Sequence, residues 1–375
     1  MKVTQVTHGR VNPDGDNGIT RTVYNIKENL DSAISNDILS FDERVVGYTN
    51  FKRDCGLEVE LFSRKRFGIN TELKSFVKST STDLFHFHLM WMWDKNILAK
   101  EILRAGKSYI CTTHAAYTPD KINSLKKRIA INSFELDYLR GAKAIHALCE
   151  EEKYILRELG LKNQIYVIPN GISDREYSLI SKARKMSNPY DSSVFQICWV
   201  GRLRPEKNID GMINALSLLP KLVLKKVKLN LVGNGSLDYE RKLNDLVLKN
   251  NLSNHVEFHG SKFSAEKYNF IDKADMYLQP SFSEGVSFSL LDALACGTPT
   301  VISRQSNMNY YLKSCAFEVI EPFAEDISAS ILELFNDASK RDQLRSSSQA
   351  LVRDSFYWPK LIDRYQKMYL EVNND

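Results

Sequence analysis

No stretch of this 375-residue chain approaches the ~20 consecutive apolar residues that a membrane-crossing helix needs. The opening Met1-Lys2-Val3-Thr4 runs straight into polar sequence and lacks the apolar core of a secretory signal. A cytoplasmic protein is therefore expected, free or peripheral on the inner face of the cytoplasmic membrane. The six cysteines (Cys55, Cys111, Cys149, Cys198, Cys296 and Cys315) include no C-x-x-C pair, which removes zinc-knuckle and redox-motif readings. Reduced, buried thiols are expected instead. A strong excess of one charge is also missing. The 51 basic and 46 acidic residues leave +5, too little to argue for nucleic acid but suited to anionic ligands or an anionic membrane surface. There is no repeat of fixed short period and no low-complexity segment. With 43% hydrophobic and 26% charged residues, disorder is not the expectation. The length is too great for one ordinary core and too small for three, so two domains are expected.

What the chain does have is alternation. Short apolar runs at Tyr109–Thr112, Ala144–Leu148, Ile165–Ile168, Phe195–Val200, Lys228–Val232, Met276–Gln279 and Pro299–Ile302 read as strands. Helix-length stretches such as Ile209–Leu219, Tyr239–Asn250 and Ser289–Ala295 lie between them. Strands alternating with helices predict an α/β fold of parallel sheets flanked by helices. Ligands in such sheets bind at the carboxyl ends of strands, where strand order reverses. Two blocks are expected, an N-terminal domain over 1–180 and a C-terminal domain over 181–355. The polar stretch Ser181–Asp191 is the linker candidate.

Three segments carry chemistry. In Trp199-Val-Gly-Arg-Leu-Arg-Pro-Glu-Lys-Asn208 a strand ends at Val200, Gly201 permits a tight turn, and Arg202 and Lys207 precede a helix that Asn208 is placed to cap. Two cations on a strand-to-helix loop suit a diphosphate, Arg through forked hydrogen bonds and Lys as a point charge; a solvated basic loop is the alternative. The strand ending in Leu231-Val-Gly-Asn-Gly-Ser236 places Gly233 and Gly235 in a turn that can approach a ligand closely, although any tight turn would use them. The third segment runs from Gln279 to Thr300. There a loop bearing Glu284 and Gly285 leads into a helix that starts near Ser287–Phe288 and stops before Gly297. That helix start offers N–H groups and a positive dipole end to an anion. Asp292 lies about 6 Å further along it. Carboxylates so placed are poor phosphate ligands but good partners for sugar hydroxyls.

Together these segments resemble the C-terminal domain of retaining family 4 glycosyltransferases, enzymes of two facing Rossmann-like domains, the GT-B fold. That family's signature is a Glu, seven residues, then a second Glu within E-G-x-x-x-x-x-x-E-A-x-A-x-G-x-P. Here Glu284 and Asp292 take those places, followed by Ala293, Ala295, Gly297 and Pro299. The family-like G-R-L-x-x-E-K-N at Gly201–Asn208 and the P-N-G-I at Pro169–Ile172 complete three ordered motifs.

The resemblance implies a role for each position. Arg202 and Lys207 would hold the donor diphosphate and stabilise the leaving nucleoside diphosphate in place of a metal. Glu284 would contact the transferred sugar, with the amides of Gly285, Val286, Ser287, Phe288 and Ser289 around the sugar and phosphate. Asp292 would bind the ribose, one methylene shorter than the usual Glu. Gly201, Gly233 and Gly235 would lie near phosphate and base, and Asn170 in the P-N-G-I motif joins the donor-binding set. In the N-terminal block, Asn12–Arg21 resembles the family's glycine-rich loop, which would put Gly18 against the diphosphate and Asn17 in the cleft; an ordinary turn is the alternative. Thr113-His114-Ala-Ala-Tyr117 resembles a strand-end T-H-D, with Ala115 in place of Asp, so His114 would touch the donor sugar near the reacting centre. His86 and His88 are read as facing opposite sides of a strand, His88 toward the cleft; they lack further ligands for zinc. The closing segment Phe356–Tyr369 resembles the family's F-x-W helix, so residues 356–375 are expected to complete the N-terminal domain.

A nucleotide-sugar donor, with UDP the family's commonest nucleotide, and a glycan or lipid-linked acceptor are thereby expected, in a cleft between the domains. The activity expected is a retaining hexosyl transfer by front-side displacement, in bacterial surface polysaccharide synthesis of the O-antigen, lipopolysaccharide or capsule kind. No metal and no cofactor are expected, since no Asp-x-Asp stands where it would hold a donor metal. The alternatives are a non-catalytic partner subunit, which the Asp292 and Ala115 departures keep open, and an epimerase or phosphorylase of the same fold. Leu125-Lys-Lys-Arg-Ile-Ala-Ile-Asn-Ser-Phe134 mixes basic and apolar residues at helical spacing and suits either an anionic membrane or an ordinary surface helix.

Overall fold

The computed structural model describes residues 1–12, 17–31, 33–53, 57–65, 68–191 and 193–374. The chain divides into two compact units. Unit 1 comprises Met1–Pro169 together with the C-terminal helix Trp358–Asn374, and unit 2 spans Asn170–Tyr357.

Among the described residues, unit 1 holds an eight-stranded sheet built from β1 (Lys2–His8), β2 (Ser35–Asp42), β3 (Tyr48–Lys52), β4 (Glu58–Ser63), β5 (Leu84–Phe87), β6 (Ser108–Thr112), β7 (Ala144–Ala147) and β8 (Gln164–Val167). The order is β3-β4-β2-β1-β5-β6-β7-β8, parallel except for the β3–β4 pair. Strand order reverses around β1, which pairs β2 on one side and β5 on the other. The C-terminal helix belongs to this unit's core. Its Trp358, Leu361, Tyr365, Met368 and Tyr369 pack with Val3, Leu84, Ile110 and Ala144 from four strands.

Unit 2 holds a six-stranded parallel sheet of β9 (Phe195–Val200), β10 (Val227–Val232), β11 (Val256–Phe258), β12 (Met276–Gln279), β13 (Thr300–Ser303) and β14 (Glu318–Ile320), among the described residues. The order β11-β10-β9-β12-β13-β14 reverses between β9 and β12. β9 and β12 begin and end where the apolar runs predict, and the other predicted strands lie within a residue of expectation. Fully buried strands read as continuous apolar runs, which is why these were visible.

The linker expectation fails. Ser181–Arg184 lies in the helix Asp174–Arg184, which starts on a reciprocal capping box. The Glu176 carboxylate accepts from the Ser173 backbone N–H at 2.8 Å, and the Ser173 side chain accepts from the helix backbone in return. The polar residues that follow are pinned to the helix Ser264–Asp272. Asn269 donates to Ser187 O at 2.9 Å, and Tyr190 donates to Phe270 O at 2.8 Å. The division between units therefore falls after Pro169 and after Tyr357, rather than at 180 and 355.

Candidate functional site

Of the residues expected to hold a donor, the loop residues Gly201 to Lys207, Gly233, Gly235 and Glu284 follow the carboxyl ends of unit 2's strands, around the point where strand order reverses. Gly201 follows β9 and Gly233 follows β10, and the two backbones touch. A Cβ at Gly233, whose φ is +144°, would stand 1.7 Å from Gly201 O. A Cβ at Gly235 would stand 2.5 Å from Leu203 O. These glycines therefore have a packing reason before any ligand one: they let two strand ends close on each other. Arg202, next in the chain after Gly201, is exposed. Lys207 ends a short 3₁₀ turn, Pro205–Lys207, and its Nζ lies 2.5 Å from Glu284 Oε1. Asn208 does not cap the next helix. It sits in the left-handed region (φ 57°), and its side-chain amide donates to Pro280 O at 3.0 Å and Pro322 O at 2.8 Å. Bridging two loops is a better use of a buried amide than one cap bond, since both carbonyls would otherwise lose partners.

Glu284 is 8% exposed, yet its carboxylate is well supplied, accepting also from Ser281 Oγ at 3.2 Å. Its backbone carbonyl accepts from Asn307 at 2.5 Å, so the loop is held at both ends of the residue. Asn170 donates to Val286 O at 2.9 Å and ties the P-N-G-I segment to this loop. The helix then runs Phe288–Cys296. Ser287 caps it through a 3.2 Å bond from Leu290 N, and Gly297 ends it at φ 79°. Ser287 and Ser289 both point their hydroxyls to Gln279 Oε1, at 2.9 and 3.5 Å. Asp292 is 1% exposed, and its oxygens accept from Lys267 Nζ at 2.7 Å and Tyr268 OH at 2.9 Å.

Asn17, Gly18, His88 and His114 belong to unit 1. Asn17 caps the helix Gly18–Asn29 by accepting from Ile19 N at 3.0 Å; residues 13–16 of the predicted glycine-rich loop lie outside the described residues. His114 follows β6 in a turn where both it and Ala115 take left-handed φ angles, 47° and 53°. Non-glycine residues hold that conformation only when neighbours enforce it. Glu152 does so: its buried carboxylate accepts from Ala115 N at 2.5 Å, Leu148 N at 2.7 Å and the Thr113 hydroxyl. Burial raises the Glu152 pKa, and these hydrogen bonds oppose the rise. His86 and His88 do not face opposite sides. Their rings lie 4.3 Å apart on one face, as the two-residue period of a strand requires. His88 Nδ1 stands 3.1 Å from His114 Nε2. Burial depresses the pKa of His114 to about 3 and drives that of His88 well down. Among the described residues, no group of three or more His, Cys, Asp or Glu is arranged to hold a metal ion, and no helix is long and apolar enough to cross a membrane.

Residues 181–350 match the sequence model of Glycosyl transferases group 1, and residues 17–176 that of Glycosyltransferase Family 4. The chain belongs to the family 4 glycosyltransferases. An uncharacterized glycosyltransferase of Methanocaldococcus jannaschii is 28% identical over 60% of this chain and 57% of its own length. The O-antigen chain mannosyltransferase B of Escherichia coli is 26% identical over 40% of each chain. The chain thus matches about half the length of these relatives. Among solved structures, the HepE protein of Anabaena in complex with UDP-glucose has a TM-score of 0.77 at 18% identity, covering 99% of this chain and 100% of that one. The fold is that of the GT-B glycosyltransferases.

In this glycosyltransferase, several residues at the candidate site carry no motif signal. Glu152, Ser281, Asn307 and Lys267 are single polar residues whose importance arises only when the chain folds. Lys267 and Asp292 are 25 residues apart in sequence, and only the contact between their two helices pairs them. Four cysteines (Cys111, Cys149, Cys198 and Cys296) are buried and free, as expected, while Cys315 is exposed and Cys55 lies outside the described residues.

Proposed function

We propose that this glycosyltransferase moves a sugar from a nucleoside diphosphate sugar to a glycan or lipid-linked acceptor, with retention of configuration and without a metal ion. The observation that carries the reading is the Lys207–Glu284 pair at the reversal of unit 2's strand order, beside exposed Arg202 and the N-terminus of the helix Phe288–Cys296. A diphosphate entering there meets two cations and a helix dipole. It draws Lys207 away from Glu284, whose carboxylate is then released to accept from sugar hydroxyls. The same cations stabilise the leaving nucleoside diphosphate, the charge that grows in the transition state. UDP is the proposed nucleotide, supported by the UDP-glucose held by the Anabaena relative of the same fold. A surface-polysaccharide role draws support from the O-antigen mannosyltransferase among its relatives.

Thermal unfolding with UDP, GDP and other nucleoside diphosphates in EDTA tests this. A nucleotide at 100 times its dissociation constant stabilises the fold by about 2.7 kcal/mol. Arg202→Ala and Lys207→Ala are expected to abolish that shift. No shift with any nucleotide would sink the donor reading, and loss of transfer in EDTA would sink metal independence. A second reading, a nucleotide-binding subunit without turnover, is favoured by one feature: Asp292 is engaged by Lys267 and Tyr268. Nucleotide binding without turnover would select it.

The membrane is the proposed meeting place with a lipid-linked acceptor. In the helix Leu125–Ala130, Leu125 and Ile129 are 73% and 61% exposed beside Lys126 and Arg128. Sedimentation that is equal with neutral and anionic vesicles would end that idea.

A further inference from the structure

Four histidines of unit 1 form one hydrogen-bonded row under the C-terminal helix, and of these only His114 is expected, from the family resemblance, to touch the donor sugar. The row has a direction. A backbone carbonyl only accepts hydrogen bonds. His146 Nε2 lies 2.8 Å from Ile168 O, so Nε2 carries the proton and Nδ1 is bare. Thr112 Oγ1, 2.7 Å from that Nδ1, gives its single hydrogen there and accepts from His86 Nε2, also at 2.7 Å. His86 Nδ1 is then bare and takes the Tyr369 hydroxyl hydrogen at 2.8 Å. The Tyr369 oxygen in turn accepts from the Gln5 amide nitrogen at 3.1 Å, which turns Gln5 Oε1 to His88 Nε2 at 2.8 Å. His88 therefore donates through Nε2, and its bare Nδ1 accepts from His114 Nε2 at 3.1 Å. Any reversed link would set two lone pairs or two hydrogens against each other inside a buried row. Burial keeps the rings neutral, lowering His146 to about 4 and His114 to about 3, with His86 and His88 well below their ordinary value. Each ring thus holds one proton, and its position is defined.

We propose that this row, anchored on the Ile168 carbonyl, fixes His114 as the Nε2–H tautomer and presents its Nδ1 as a hydrogen-bond acceptor to a substrate hydroxyl. Among the described residues nothing hydrogen-bonds that Nδ1. Gln5, His86, His88, Thr112 and Tyr369 are positioning residues: they act on substrate only through the proton they place on His114. The consequence is selection. A sugar that offers a hydroxyl hydrogen at this point is bound, and one lacking that hydroxyl leaves Nδ1 unpaired. The substrate half of the proposal rests on the reading of His114 as a donor-sugar contact, whereas the proton order does not.

The test is a long-range ¹H–¹⁵N spectrum of the ¹⁵N-histidine-labelled full chain at neutral pH, with His114 assigned through His114→Asn. Asn tolerates the left-handed backbone there. All four rings are expected to show a pyrrole-type Nε2 and an imine-type Nδ1. A pyrrole-type Nδ1 on His114 would overturn the proposal. Tyr369→Phe and, independently, Thr112→Val each remove one hydroxyl from the row. Either is expected to shift the His114 signals toward an average of two tautomers, and unchanged signals in both would show that the row does not set them. If neither variant folds, the wild-type spectrum still decides. UDP stabilisation, measured alongside, depends on unit 2. Its absence in the wild type would count against the donor reading and leave the tautomer result standing.

Discussion

Gly233 shows how little a residue's name says before its neighbours are known. In the sequence it is half of a weak G-x-G, equally suited to any turn. In the fold its α-carbon faces Gly201 O so closely that a Cβ would lie at 1.7 Å, with φ at +144°. Gly233→Ala is expected to destabilise unit 2 by at least about 3 kcal/mol, combining backbone strain with a displaced strand end. Gly9→Ala is the control: φ is +76° but nothing lies within 4 Å, so about 1–2 kcal/mol is expected. Urea denaturation of both variants checks this, and equal costs would refute the close-approach argument. Arg202, Lys207 and Glu284 could be singled out in the sequence because their loops resemble the family 4 motifs, and the fold then sets Lys207 against Glu284. Glu152 and Gln5 could not, because an isolated polar residue reads as surface until its burial is known.

Elements were most legible where they are buried on both sides. Strands β9 and β12 stand out as apolar runs, whereas β1 hides Thr4, Gln5 and Thr7 within its buried length and so lost that signal. Polar side chains there are tolerated because they bond one another, as Gln5 does with Asn36 at 3.1 Å. A similar exchange governs the π-turn Ile131–Glu135, which follows the helix Leu125–Ala130. The turn carries Glu135 inward, where Lys95 Nζ meets it at 2.6 Å with both side chains fully buried. Tyr117 OH donates to the same oxygen at 2.6 Å, and Lys95 lies 3.7 Å from the centre of the Tyr138 ring. Burial lowers the Lys95 pKa, and Glu135 opposes the shift. Glu135→Ala leaves a buried, unpaired ammonium and is expected to cost about 3–5 kcal/mol; replacing both partners by apolar residues of similar volume should recover most of it. A loss below about 1 kcal/mol in Glu135→Ala, by denaturant titration, would show that the pair does not hold this element.

In each unit the strand order reverses within the parallel part of the sheet, at β9 and β12 in unit 2 and at β1 and β5 in unit 1, and the carboxyl ends of strands at such a point are where ligands bind in sheets of this kind. Unit 1's histidine row makes its stability depend on pH. The folded pKa values lie below the ~6.5 of an exposed histidine, reaching about 4 for His146 and about 3 for His114. Below pH ~6.5 the unfolded chain takes up protons that the folded row refuses, so this stability is present above ~6.5 and lost as pH falls toward 4. Each histidine contributes up to about 1.4 kcal/mol per pH unit within that window. Unfolding midpoints at pH 7.5, 6 and 5 should fall steadily, and a flat profile would refute a buried neutral row.

By itself the sequence determined the α/β class and the glycosyltransferase family, because buried strands restrict composition over short spans and the loop motifs keep their order and spacing. Tertiary structure alone decided where the units divide, that Asp292 pairs with Lys267, and that Gln5, His86, His88, Thr112, His146 and Tyr369 form one directed row. Those partners are brought together by sheet register and by a helix returning from the far end of the chain, and hydrogen-bond direction exists only once donors and acceptors are in place.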